Sequence, residues 1–150
     1  MTEAGDARGT LILADSLETV LVGCARAAFP REACGLLVGH REGSHWIVGR
    51  VVESPNLATR TDRFELDPAV WVATELDARG RGESVLGVWH NHPRRPTRPS
   101  ALDLAGAPEG LCSLILGVTA AGGFAARAWL SRGETWIELE LTRPLASARR

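Results

Sequence analysis

His90 and His92 are separated by one residue, and Ser100 and Asp103 follow after a spacer of seven. Two imidazoles, a hydroxyl and a carboxylate thus fall between positions 90 and 103. Two histidines and one carboxylate make a three-ligand zinc set. Such a set leaves a fourth position open for water, which marks a catalytic zinc rather than a structural one. The pattern therefore predicts one zinc ion per chain, held by His90, His92 and Asp103. A hydrolase of this kind also needs a general base, to take a proton from the attacking water and return it to the leaving amine. The motif holds no second carboxylate, so the base must come from elsewhere. Glu32 is the candidate. It stands in Arg31-Glu32-Ala33-Cys34-Gly35-Leu36-Leu37-Val38, at the start of the most apolar early run, where plain solvated surface explains a charge poorly.

Positioning these groups is the task of the regular elements. Ser84 to His92 reads as a strand. Side chains alternate along a strand, so His90 and His92 share a face about 6–7 Å apart. Val88 joins that face, while Trp89 and Asn91 point the other way. Ser100-x-x-Asp103 reads as the start of a short helix ending near Gly106, with a capping box in which Asp replaces Glu. That reading coexists with a metal role, because the first turn of a helix can present Asp103 to an ion. Upstream, Thr10 to Ala14 reads as a short strand. Asp15 reads as the cap of a helix with Glu18 as its capping-box partner, and Pro30 as its end. Ala33 to His40 and His45 to Val52 read as strands around a turn. Asp67 and Pro68 open a second helix that runs to about Arg79. Leu111 to Val118, Phe124 to Ser131 and Thr135 to Leu141 read as three final strands. The expected class is α+β (mixed α/β) in one domain, residues 10–141, between a flexible N-terminus (1–9) and a flexible tail (142–150). Its centre is expected to be a mostly antiparallel curved sheet, flanked by two main helices and the short helix that carries the metal motif.

Composition narrows the chemistry further. The chain has 150 residues and a net charge of -1, which argues against a nucleic-acid binder. All 17 basic residues are arginine, so Schiff-base chemistry and a phosphate-loop lysine are excluded. Tyrosine is absent too, so no phenol can act as acid or base. Cys24, Cys34 and Cys112 are widely spaced in apolar runs and read as buried, reduced thiols. No stretch reads as a signal peptide or a membrane span, so a cytoplasmic location is the default expectation.

Glu32 before Gly35-Leu36-Leu37, then His-x-His-x7-Ser-x2-Asp, resembles the signature of the JAMM metalloproteases, also called MPN+ domains. The likeness spans about residues 10 to 141. The small size and the stretch from Asn56 to Pro68 resemble the stand-alone bacterial and archaeal members. The resemblance implies an MPN-like fold, zinc on His90, His92 and Asp103, Glu32 as general acid/base, and Ser100 as donor to the oxyanion. It also implies cleavage after the C-terminal Gly-Gly of a ubiquitin-like protein. Some bacterial relatives free a small sulfur carrier from one amino acid, such as cysteine, attached to its terminal glycine. Arg94, Arg95 and Arg98 crowd the loop beside the motif and are candidates to bind the carboxylate of such a leaving group. Asn56 and Phe64 are further substrate-binding candidates, in a segment (53–66) expected to form an edge or flap for the extended tail. Asn91 departs from the Ser or Thr of many eukaryotic members. The expected partner is the carrier protein, with neither nucleic acid nor membrane, and a homodimer stays open. Alternatives are an isopeptidase acting on lysine-linked conjugates and a non-catalytic MPN scaffold. A zinc deaminase would need a Pro-Cys-x-x-Cys motif that is missing.

Overall fold

Local sequence signals set most of the elements, in a computed structural model that describes residues 8–94, 96–118 and 123–145. The order is β1 (Thr10–Ile12), α1 (Asp15–Ala28), β2 (Cys34–Glu42), β3 (His45–Ser54), α2 (Pro68–Gly80), β4 (Ser84–Asn91), α3 (Ala101–Gly106), β5 (Cys112–Val118), β6 (Phe124–Arg132) and β7 (Thr135–Thr142). At α2 the start signal works as expected: the Asp67 carboxylate accepts from the Ala69 N–H at 2.9 Å, and Pro68 is the first helical residue. At α1 it does not. Ala14 is the N-cap and has no side-chain cap, while Asp15 already lies inside the helix. Asp15 and Glu18 instead put negative charge in the first turn, where the helix dipole favours it. Both also meet Arg143, at 2.5 and 3.4 Å.

The mixed α/β class holds, but the curved sheet expected is a closed barrel. The strands close into a barrel in the order β1-β3-β2-β4-β5-β6-β7. Closure depends on the three residues of β1, which pair in parallel with β3 on one side and with β7 on the other. They join two edges that would otherwise stand open, and unpaired edges invite pairing with other chains. β4 and β5 are also parallel, while the β2–β3, β2–β4, β5–β6 and β6–β7 pairs are antiparallel. Thr142, expected in the flexible tail, closes β7, and its carbonyl accepts from the Leu13 N–H at 2.9 Å.

One core cluster gathers Leu21 of α1 with Leu37, Trp46, Trp89, Leu114, Leu116, Leu130 and Leu139 of the strands. Trp89 crosses Gly35 to donate to the Val52 carbonyl at 3.1 Å. A Cβ at Gly35 would lie 2.6 Å from that indole nitrogen, so only glycine lets the ring pass. α2 packs against β4 and β2. Arg50 of β3 holds it there through Asp77 (2.7 Å) and Glu83 just beyond its end (3.2 Å). Among the described residues, no helix is long and apolar enough to cross a membrane.

Candidate metal centre

β4 delivers the two imidazoles as strand alternation requires. Val88 and His90 face a cleft, while Trp89 turns into the core. β4 ends at Asn91, yet His92 keeps the parallel ladder going, its N–H donating to the Leu116 carbonyl at 2.8 Å. Both histidines are buried. Their Nε2 atoms stand 3.0 Å apart. The Asp103 carboxylate lies 3.2 Å from His92 Nε2 and 3.5 Å from His90 Nε2.

The tautomer of His92 follows from its other nitrogen. His92 Nδ1 lies 2.7 Å from the Pro96 carbonyl. A carbonyl only accepts, so Nδ1 carries the hydrogen and Nε2 of the neutral ring keeps its lone pair. A backbone carbonyl that orients a histidine in this way is the usual support of a metal ligand.

Asp103 is held by its own helix. The Ser100 N–H donates to Asp103 Oδ2 at 2.7 Å, and the Asp103 N–H donates to Ser100 Oγ at 3.0 Å, a complete capping box at the start of α3. Burial opposes ionisation of this carboxyl. The His90 and His92 rings beside it and the Ser100 N–H outweigh burial and hold it well below the usual carboxylate range.

β2 brings the fourth group. Cys34 pairs with His90, which sets Glu32 at the head of β2 against the same site. Glu32 is buried, and one of its carboxylate oxygens lies within 4.8 Å of nitrogen atoms of both His90 and His92. Asn91, between the two histidines but on the other face, fastens this junction. Its Oδ1 accepts from the Ala33 N–H at 2.6 Å, and its own N–H donates to the Ala33 carbonyl at 3.2 Å.

The donor set fits zinc. Donors about 2.0–2.1 Å from one ion in a tetrahedron stand about 3.3 Å apart. The separations among His90, His92 and Asp103 bracket that value. Two imidazoles with carboxylates are also the ligand chemistry of hydrolytic zinc, whereas magnesium and calcium favour oxygen alone.

Beside the centre lies a cleft of about 650 Å³, lined by Phe64, Leu66, Trp71, Val72, His90 and Asp103 among others. Phe64 stacks on the His90 ring with centroids 4.2 Å apart. The segment expected to be an edge or flap is a loop that walls this cleft, closed on itself by the Asn56–Leu66 bridge. Asn56, a candidate for substrate contact, uses its whole amide inside the protein. Its Nδ2 donates to the Glu32 and Arg63 carbonyls (2.9 and 3.2 Å), and its Oδ1 accepts from the Ala58 and Glu65 N–H groups (2.9 and 3.0 Å). With two donors and two acceptor sites filled, nothing is left for a substrate.

Of the three arginines expected beside the motif, Arg94 and Arg98 are described. Arg94 lies over the Phe29 ring at 5.4 Å and lines a separate cavity with Asn91. Arg98 is exposed, and its charge acts on Glu138. Arg95 lies outside the described residues. Among the described residues, the arginine that lines the cleft of His90 and Asp103 is Arg63, which sequence reasoning missed. Its neighbour Phe64 was the signal that could have found it. All three cysteines are free. Burial pushes the Cys34 and Cys112 thiols up to about 12 and the Cys24 thiol up to about 11, so none is a ready thiolate.

Comparison with known proteins points the same way. The family described as "Prokaryotic homologs of the JAB domain" matches residues 14–131. A protein of Thermus thermophilus named "Probable TtuB-protein conjugate cleaving protease" is 29% identical over 96 residues. The match covers 63% of this chain and 62% of the length of that relative. Two solution structures share the fold. One, from Desulfitobacterium hafniense, has a TM-score of 0.79 at 31% identity, covering 92% of this chain and 94% of the other. The second, from Salinibacter ruber, has a TM-score of 0.67 at 30% identity, covering 95% of each.

Proposed function

The chain belongs to the prokaryotic homologs of the JAB domain, and from that premise we propose that it is a zinc-dependent peptidase that hydrolyses the bond after the C-terminal Gly-Gly of a ubiquitin-like sulfur carrier. The carrying observation is the convergence of His90, His92 and Asp103 at 3.0–3.5 Å, with Glu32 close by. His90, His92 and Asp103 hold the ion in this reading. Zinc, when bound, lowers the pKa of a water towards neutrality and polarises a carbonyl. Glu32 takes the proton of the attacking water and passes it to the leaving amine. The Ser100 hydroxyl accepts from the Asp103 N–H and keeps its own hydrogen to donate where negative charge develops on the scissile carbonyl. The name of the Thermus relative, which speaks of cleaving protein conjugates, supports a carrier as substrate.

The leaving group divides the reading in two. Release of a single amino acid, such as cysteine, suits a cleft whose wall includes Arg63, a cation for a free carboxylate. Release of a conjugated protein, joined in this reading through a lysine, is favoured by the relative's name, which speaks of a protein conjugate. Mass spectrometry decides. Purified protein is incubated with a Gly-Gly-ended carrier bearing one extra residue, and separately with a carrier–lysine conjugate. Each is run with zinc, with chelator, and with zinc restored. Cleavage of either that chelator stops and zinc restores is the expected result. Cleavage that persists at full rate without metal overturns the mechanism.

A further inference from the structure

We propose that Asn56 is a positioning residue that clamps Glu32 and Phe64 with a single side-chain amide. The inference rests on the reading of Glu32 as the acid/base. Asn56 Nδ2 bonds the Glu32 carbonyl, so one end of the clamp sits on the residue that carries the carboxylate. The other bonds straddle Phe64: Nδ2 holds the Arg63 carbonyl and Oδ1 holds the Glu65 N–H. The residue between those two groups stacks its ring on His90. The fourth bond, to the Ala58 N–H, closes the turn that starts the loop. The amide's orientation is fixed by its neighbours, since its oxygen meets only N–H groups and its nitrogen only carbonyls. Arg31 reinforces the link from the opposite direction, donating to the Asn56 carbonyl at 3.1 Å and to the Ala58 carbonyl. The head of β2 and the wall of the cleft therefore move as one body. A displacement near 1 Å of a reacting group is enough to slow an enzyme strongly.

Asn56→Asp separates clamping from loop folding. A carboxylate still accepts from Ala58 and Glu65 but loses both donors, so the loop keeps its turn while the Glu32 and Arg63 carbonyls are released. The expected result is kcat lower by about tenfold or more, the worth of one to two hydrogen bonds, with KM changed less than about threefold. Bound zinc should stay near wild type, and the melting temperature should fall by only the few degrees that about two lost hydrogen bonds cost. A double-variant cycle with Phe64→Ala should show that the two losses do not add. Wild-type kcat in Asn56→Asp, or full additivity with Phe64→Ala, overturns the proposal. Amide hydrogen exchange on the wild-type protein gives a readout without turnover. The Ala58 and Glu65 N–H groups should be protected, and exchange at the rate of free peptide overturns the clamp even if the variant does not fold. Glu32→Gln, run in parallel, separates the two claims. Activity in that variant sinks the acid/base reading alone, whereas an inactive Glu32→Gln beside a fully active Asn56→Asp sinks the positioning role alone.

Discussion

At the scale of single residues the site is a set of opposed demands. Two imidazole nitrogens 3.0 Å apart, facing one carboxylate, are an awkward cluster in a buried place unless something positive lies between them. His92→Ala removes one nitrogen and leaves the core cluster untouched, since His92 is not part of it. The prediction is a folded protein that has lost most of its zinc, checked by metal analysis beside a melting curve. Full zinc occupancy in that variant would show the ligand assignment to be wrong. Glu32→Gln keeps shape and volume but cannot take up a proton at neutral pH. Zinc should remain, and turnover should fall by about 10²–10⁴-fold, the range for a general acid/base. Wild-type rates on any cleaved substrate would remove Glu32 from the mechanism.

At the scale of elements, α3 does two things with the same two residues. The Ser100–Asp103 capping box starts a helix of six residues and also aims the Asp103 carboxylate at the histidines. Ser100→Ala therefore tests two roles at once. Losing the cap costs roughly 1 kcal/mol of stability. Losing an oxyanion donor costs about 10²–10³-fold in kcat. We predict both effects, with KM little changed. A lower melting temperature at unchanged kcat would make Ser100 a cap only. The capping box was legible in the sequence because its partners are three residues apart. The failed cap at Asp15 was misread because the same pattern also suits plain acidic residues in a first turn, and the distant Arg143 settles where they point.

At the scale of the whole molecule, the barrel decides which arginine lines the cleft beside His90 and Asp103. Sequence proximity favours Arg94, Arg95 and Arg98, but among the described residues it is Arg63 that lines the cleft, while Arg94 lines a separate cavity. If the leaving group is a single amino acid, amidating its carboxylate should slow cleavage by about tenfold to a hundredfold, the worth of a hydrogen bond to a charged group. Arg63→Ala should erase the difference between acid and amide, while Arg94→Ala should leave it in place. Equal cleavage of acid and amide by the wild-type protein would turn the choice towards a protein-sized leaving group.

The sequence by itself determined the chemistry of the site: which residues carry nitrogen and oxygen donors, and that His90 and Val88 share a face opposite Trp89. Those are consequences of composition and of the two-residue period of a strand, and both are local. It also determined most element boundaries, through caps, prolines and glycine turns. Tertiary structure alone decided that β2 lies beside β4, which places Glu32 at the histidines. It decided too that β1 closes the sheet into a barrel and that one asparagine amide spans Glu32 and Phe64. Pairing between distant strands is chosen by how whole faces pack together. A side-chain amide in a loop carries no periodic signal, so its four partners become visible only when the chain is folded.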